Sequence, residues 1–115
     1  MTQILIREDP QAMTLALFAE GHAGYANIGH DIVCASISIL TQTVAQVALG
    51  LRELGADVVY HEVGGEVRIR IDVSACKEAE ALFEGASCSL QTIETGYRLI
   101  AKYHPDYIKI TTNRL

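Results

Sequence analysis

The chain has 115 residues, half of them hydrophobic, and a formal net charge of -5, which is enough for a single domain with its own core and no metal or disulfide staple. No run approaches the roughly 18 to 20 uninterrupted apolar residues of a membrane span, and the start MTQILIREDPQ has no basic stretch leading into an apolar block, so the expectation is a soluble, cytoplasmic protein. The nine Lys and Arg are scattered, which argues against direct nucleic-acid binding because phosphate contacts need a concentrated basic face. The mild acidity suits a basic partner. Cys34, Cys76 and Cys88 are an odd count without a CxxC pair, so reduced thiols are expected, with neither a disulfide framework nor a zinc ribbon.

In chain order, residues 2 to 8 (TQILIRE) form a short alternating run closed by Asp9 and Pro10, and a second extended run from Met13 to Glu20 makes a β-hairpin. Val33, Ile37, Leu40, Val44, Val47, Leu51 and Leu54 then recur at steps of three and four, the stripe of an amphipathic helix that Gly55 stops. Two strands follow, ADVVYHE from Ala56 and EVRIRIDV from Glu66, joined through Val63-Gly64-Gly65. Ser74 is placed to cap a second helix, whose stripe of Phe83, Ala86, Leu90, Ile93, Tyr97 and Ile100 runs until Pro105 forbids continuation. DYIKITT adds a C-terminal edge strand. The order ββαββα predicts an α+β two-layer sandwich, a mainly antiparallel sheet with both helices on one face.

The chemistry-bearing stretch is GHAGYANIGHDIVCAS, residues 21 to 36. On this element assignment His22 ends the second strand and Cys34 sits in the first turn of the first helix, at the same end of the sheet. Orphan amides and the positive end of the helix favour an anion there, and a thiol beside a histidine at such a place ionises readily. An imidazole can take the thiol proton and return it to a leaving amine, so His22 is the candidate base and Cys34 the nucleophile. Asp31 either caps the helix or orients an imidazole. Ser38, one turn after Cys34, either lines a pocket or bonds back to its own helix. His30 is a candidate substrate contact. Gly24 and Gly29 bracket a loop able to open over a peptide. Taken singly, a cysteine is more often a small buried hydrophobe, as Cys76 and Cys88 are expected to be. His22, His30 and Cys34 lack a fourth ligand for structural zinc, and no cofactor is called for. The alternative to an enzyme is a peptide-binding adaptor module that holds a peptide without cutting it.

Gly21-His22-Ala23, then Gly29, then Asp31-Ile32-Val33-Cys34-Ala35 with Ser38 following, resemble the bacterial ribosomal-processing cysteine proteases, a resemblance extending to SLQTIE at residues 89 to 94 and the closing YHPDYIKI. The resemblance implies an endopeptidase that removes an N-terminal extension from large-subunit ribosomal protein twenty-seven, cutting after phenylalanine. It also implies a nucleophile at Cys34, a base at His22, a homodimer, and a mobile peptide-admitting loop over residues 23 to 33. An apolar pocket beside Cys34 is then expected.

Overall fold

The computed structural model describes residues 1–21 and 28–115, with only the backbone described for residues 28–31. The elements are β1 (Thr2–Asp9), β2 (Thr14–Glu20), α1 (Ile28–Glu53), β3 (Asp57–Val63), β4 (Glu66–Asp72), α2 (Ala79–Tyr103) and β5 (Ile108–Arg114). They form a five-stranded sheet in the order β3-β4-β2-β1-β5, covered on one face by both helices.

Alternation decides which side of each strand is covered. Ile4 and Ile6 of β1, Leu15, Leu17 and Ala19 of β2, and Ile69 and Ile71 of β4 are all buried. They meet Val33, Ile37, Val44 and Ala48 of α1 and Phe83, Ala86, Leu90 and Tyr97 of α2 in one core. The opposite sheet face is open, and Arg68 lies over the Phe18 ring there, 5.0 Å from its centre.

Both hairpins form where the turn chemistry allows. Asp9 Oδ1 accepts from the amides of Gln11 (3.1 Å) and Ala12 (3.2 Å) between β1 and β2. Gly64 and Gly65 both have positive φ (59° and 82°) between β3 and β4, as a two-residue turn matched to strand twist requires. Gly55, at φ 99°, closes α1 as expected: its amide bonds to Arg52 O and that of Ala56 to Leu51 O, each at 3.0 Å, the paired bonds of a Schellman end.

Four details differ from expectation. The C-terminal strand is present but pairs parallel to β1, with Ile4 opposite Ile110, so the sheet is mixed. The second helix starts at Ala79, after an N-cap Glu78 that makes no side-chain cap. Ser74 is instead captured by Asp72, whose Oδ1 accepts from both its amide (2.9 Å) and its hydroxyl (2.6 Å); these bonds hold the Asp72 carboxyl below its ordinary range. Third, α1 begins at Ile28, so residues 28 to 33 are helix and not loop. Fourth, residues Ile32–Glu53 are long and apolar enough to cross a membrane by length and composition, because Ser, Thr and Gln interrupt the apolar run without introducing charge. One stripe of this helix, Val33, Ile37, Val44, Ala48 and Leu51, is buried in the core; on another, Ile32 and Ile39 are 63% and 67% exposed.

Candidate active site

β2 runs out at Glu20, and Gly21 follows it with φ 75°. A Cβ at this position would lie 2.8 Å from the carbonyl oxygen of Met1, so both the dihedral and the close approach require glycine. The Gly21 carbonyl accepts from Thr2 Oγ1 at 3.2 Å, tying the exit of β2 to the start of β1. His22, the expected base, and the loop interior through Asn27 lie outside the described residues. Gly29, His30 and Asp31 belong to the first turn of α1, and their side chains also lie outside the description.

Cys34 is half-buried on α1. Because the helix starts at Ile28, Cys34 falls in the second turn and not the first. This is a consequential shift. The unpaired amides belong to the first four residues, and the favourable field of a helix start fades within the first turn. The anion-favouring helix start therefore lies a turn before Cys34, and the amides of the second turn are spent inside the helix.

Ser38 stands one turn further along and is exposed. Its position is at the edge of a surface hollow. A hollow of about 130 Å³ opens between α1 and the sheet, walled by Ala19, Ile37, Thr41 and Val67, with Ser38 and Glu62 among its other contacts. It lies where Thr2 and Gly21 tie the sheet end together, and Ile37 and Ser38 in its lining fall one turn beyond Cys34 on α1. Ser36 and Thr43, by contrast, bond back to the carbonyls four residues earlier, at 2.9 and 2.7 Å.

Two further groups shape this wall. Thr41, buried, donates to Ile37 O at 2.8 Å and lies 2.8 Å from the Tyr97 hydroxyl, fixing the rotation of α1 against α2. Gln42 Nε2 donates to Tyr60 OH at 3.3 Å, and that hydroxyl donates to Glu62 Oε2 at 2.6 Å. Sequence reasoning missed both, since each depends on residues from separate elements meeting. Among the described residues no group of three His, Cys, Asp or Glu is arranged to hold a metal; the trio His22, His30 and Cys34 is not within that set. Cys76 is half-buried and Cys88 exposed, the latter away from the inert packing expected of it.

The family model for cysteine protease Prp matches residues 1–108. The chain belongs to the cysteine protease Prp family. Ribosomal processing cysteine protease Prp of Staphylococcus aureus strain Mu50 is 31% identical over 97 residues, covering 84% of this chain and 92% of that protein. Its namesake from Bacillus subtilis strain 168 is 30% identical, covering 98% of each. The crystal structure of the S. aureus Prp ribosomal processing protease with a covalently linked product peptide superposes with a TM-score of 0.68 at 23% identity, over 98% of this chain and 100% of that one, so the fold is shared. As a Prp-family cysteine protease, the chain acts on a peptide or protein substrate.

Proposed function

We propose that the chain is a one-domain endopeptidase in which Cys34 is the nucleophile and His22 its general base. Supporting observations are the Gly21-His22 and Cys34-Ser38 segments of the sequence and, above all, the position of Cys34: half-buried on α1, one turn before Ile37 and Ser38, which line a hollow at the sheet end from which the chain leaves toward His22. His22 takes the thiol proton, sulfur attacks the peptide carbonyl, and the imidazolium gives the proton to the departing amine; water then hydrolyses the thioester, with His22 again taking the proton. Asp31, Gly29 and His30 are assigned to the substrate-side loop and first helical turn, Gly21 to orienting His22, and Ser38 to the pocket rim.

The substrate we propose is the N-terminal extension of large-subunit ribosomal protein twenty-seven, cut after phenylalanine. A hollow of about 130 Å³ with Ala19, Ile37 and Val67 in its wall is close to the roughly 150 Å³ that holds a benzene ring in an apolar cavity, so an aromatic side chain suits it. The enzyme works in the cytoplasm as a homodimer, without cofactor, membrane or direct nucleic-acid contact.

The test is incubation of the extended ribosomal protein with wild-type enzyme and with Cys34→Ala, read by mass spectrometry. Loss of one N-terminal segment with the wild type alone is expected. Cleavage by the variant would remove Cys34 from the chemistry. An adaptor that only holds the peptide would leave the substrate intact and would label Cys34 with iodoacetamide no faster than Cys88.

A further inference from the structure

Glu62 lies near the end of β3 on the sheet face that carries the helices. Its Oε2 is held by the Tyr60 hydroxyl at 2.6 Å, and Tyr60 is in turn held by Gln42 of α1 at 3.3 Å. This chain anchors one carboxylate oxygen, and among the described residues Oε1 accepts no hydrogen bond. Glu62 contacts the same hollow as Ile37, Ser38 and Val67. Among the described residues no Lys or Arg forms an ion pair with it: the nearby Arg68 belongs to the opposite sheet face and pairs with Glu66 at 2.6 Å. A carboxylate held in position, facing the hollow and, among the described residues, without a Lys or Arg partner, has its charge uncompensated until something basic arrives.

We infer that Glu62 is a specificity-determining residue, which selects a Lys or Arg side chain of the substrate peptide close to the scissile bond while the apolar wall takes the neighbouring residue. This goes beyond the assignment of the reaction and rests on the placement of the catalytic thiol at Cys34, one turn from the hollow. Because Glu62 is solvent-exposed, the pair is screened by salt and shows in substrate capture.

The experiment uses pairs of short peptides sharing a central phenylalanine and differing only in Lys against norleucine at each flanking position in turn. The ratio of kcat/KM within each pair is measured for wild type, Glu62→Gln and Glu62→Lys. Wild type should favour lysine roughly three- to fivefold at one or more positions, through KM, with the preference shrinking in high salt. Glu62→Gln should bring the ratio to about one, and Glu62→Lys should invert it in favour of norleucine at the same position. Absence of a lysine preference in the wild type, or its persistence in Glu62→Gln, overturns the inference. The same peptide pairs, bound to Cys34→Ala with and without Glu62→Gln and followed by fluorescence anisotropy, give the ratio without turnover. Cleavage by Cys34→Ala would thus count against the nucleophile alone, leaving the Glu62 ratio to be decided on binding.

Discussion

The hydroxyl of Tyr97 on α2 donates to Oγ1 of Thr41 on α1 across 2.8 Å, and because the single Thr41 proton is spent on Ile37 O, the direction of the bond is fixed. Tyr97 is fully buried. The two substitutions that break this bond are therefore not equivalent. Tyr97→Phe removes the donor and leaves Thr41 still bonded to its own helix, for a loss of about 1 kcal/mol; Thr41→Val strands a phenol proton inside the core and should cost up to about 3 kcal/mol. Urea denaturation of both variants checks the order.

The same phenol sets an alkaline limit. Burial pushes Tyr97 up to about 12 from 10.0. Between these values the unfolded chain ionises and the folded one does not, so stability held below pH 10 is lost as pH rises to about 12, by roughly 2 to 3 kcal/mol. In Tyr97→Phe the fall in midpoint over this window should be smaller by that amount.

Less than one turn from Tyr97 along α2, Glu94 bonds Arg114 of β5, which also bonds Glu8 of β1, and Ser87 donates to Glu8. Glu8 is only 4% exposed. Arg114→Ala strands this charge and should cost about 2 to 3 kcal/mol, discounted from the figure for a fully buried pair because Arg114 is itself 35% exposed. Arg98→Ala breaks only an exposed one-turn pair with Glu94 and should cost about 0.5 kcal/mol. Burial raises the Glu94 carboxyl, but bonds from Arg114 and Arg98 outweigh it and the net shift is downward. Its stabilisation is complete above the ordinary carboxylate range and fades as pH drops through the lowered value, so the acid loss of stability should be shallower in Arg114→Ala.

Helical glycines divide by what surrounds them. A Cβ at Gly85 meets nothing within 4 Å, while one at Gly96 would lie 2.8 Å from Leu40 Cδ2 of the other helix. Gly85→Ala should stabilise by about 0.5 to 1 kcal/mol through helix propensity. At Gly96 the same gain is offset by overpacking that costs about 1 to 3 kcal/mol, so Gly96→Ala should be neutral or destabilising. Thermal midpoints measured side by side decide this.

Gly21→Ala tests how the strand end aims the residue after it. The left-handed dihedral and the 2.8 Å approach to Met1 O should cost about 1 to 2 kcal/mol in stability. Displacing the chain at His22 should lower kcat/KM about ten- to hundredfold. A thermal shift without loss of cleavage would separate folding from alignment.

Local signals in the sequence carried most of this fold. The alternation of β4, the Gly64-Gly65 turn, the Gly55 stop and the stripe from Phe83 to Ile100 all describe what the structure contains, because each is settled by neighbours a few residues away. The departures come from competition or distance. Asp72 captured Ser74 before it could cap a helix; α1 extended back through Gly29 to Ile28; and the pairing of β5 with β1 joins residues more than a hundred positions apart. At the site, Cys34 and Ser38 were legible from spacing on one helix. The wall formed by Ala19, Val67 and Glu62 was not, since those residues share nothing until the sheet assembles.

The parallel seam between β1 and β5 has a bearing on handling the protein. Until residues 108 to 114 arrive, the backbone amides and carbonyls along Thr2–Glu8 lack their outer partner, and the first strand is an open template for another chain. Truncation ahead of Ile108 would therefore yield more than a weakened fold: it would uncover a more apolar strand as the new border, and such fragments should accumulate as aggregates.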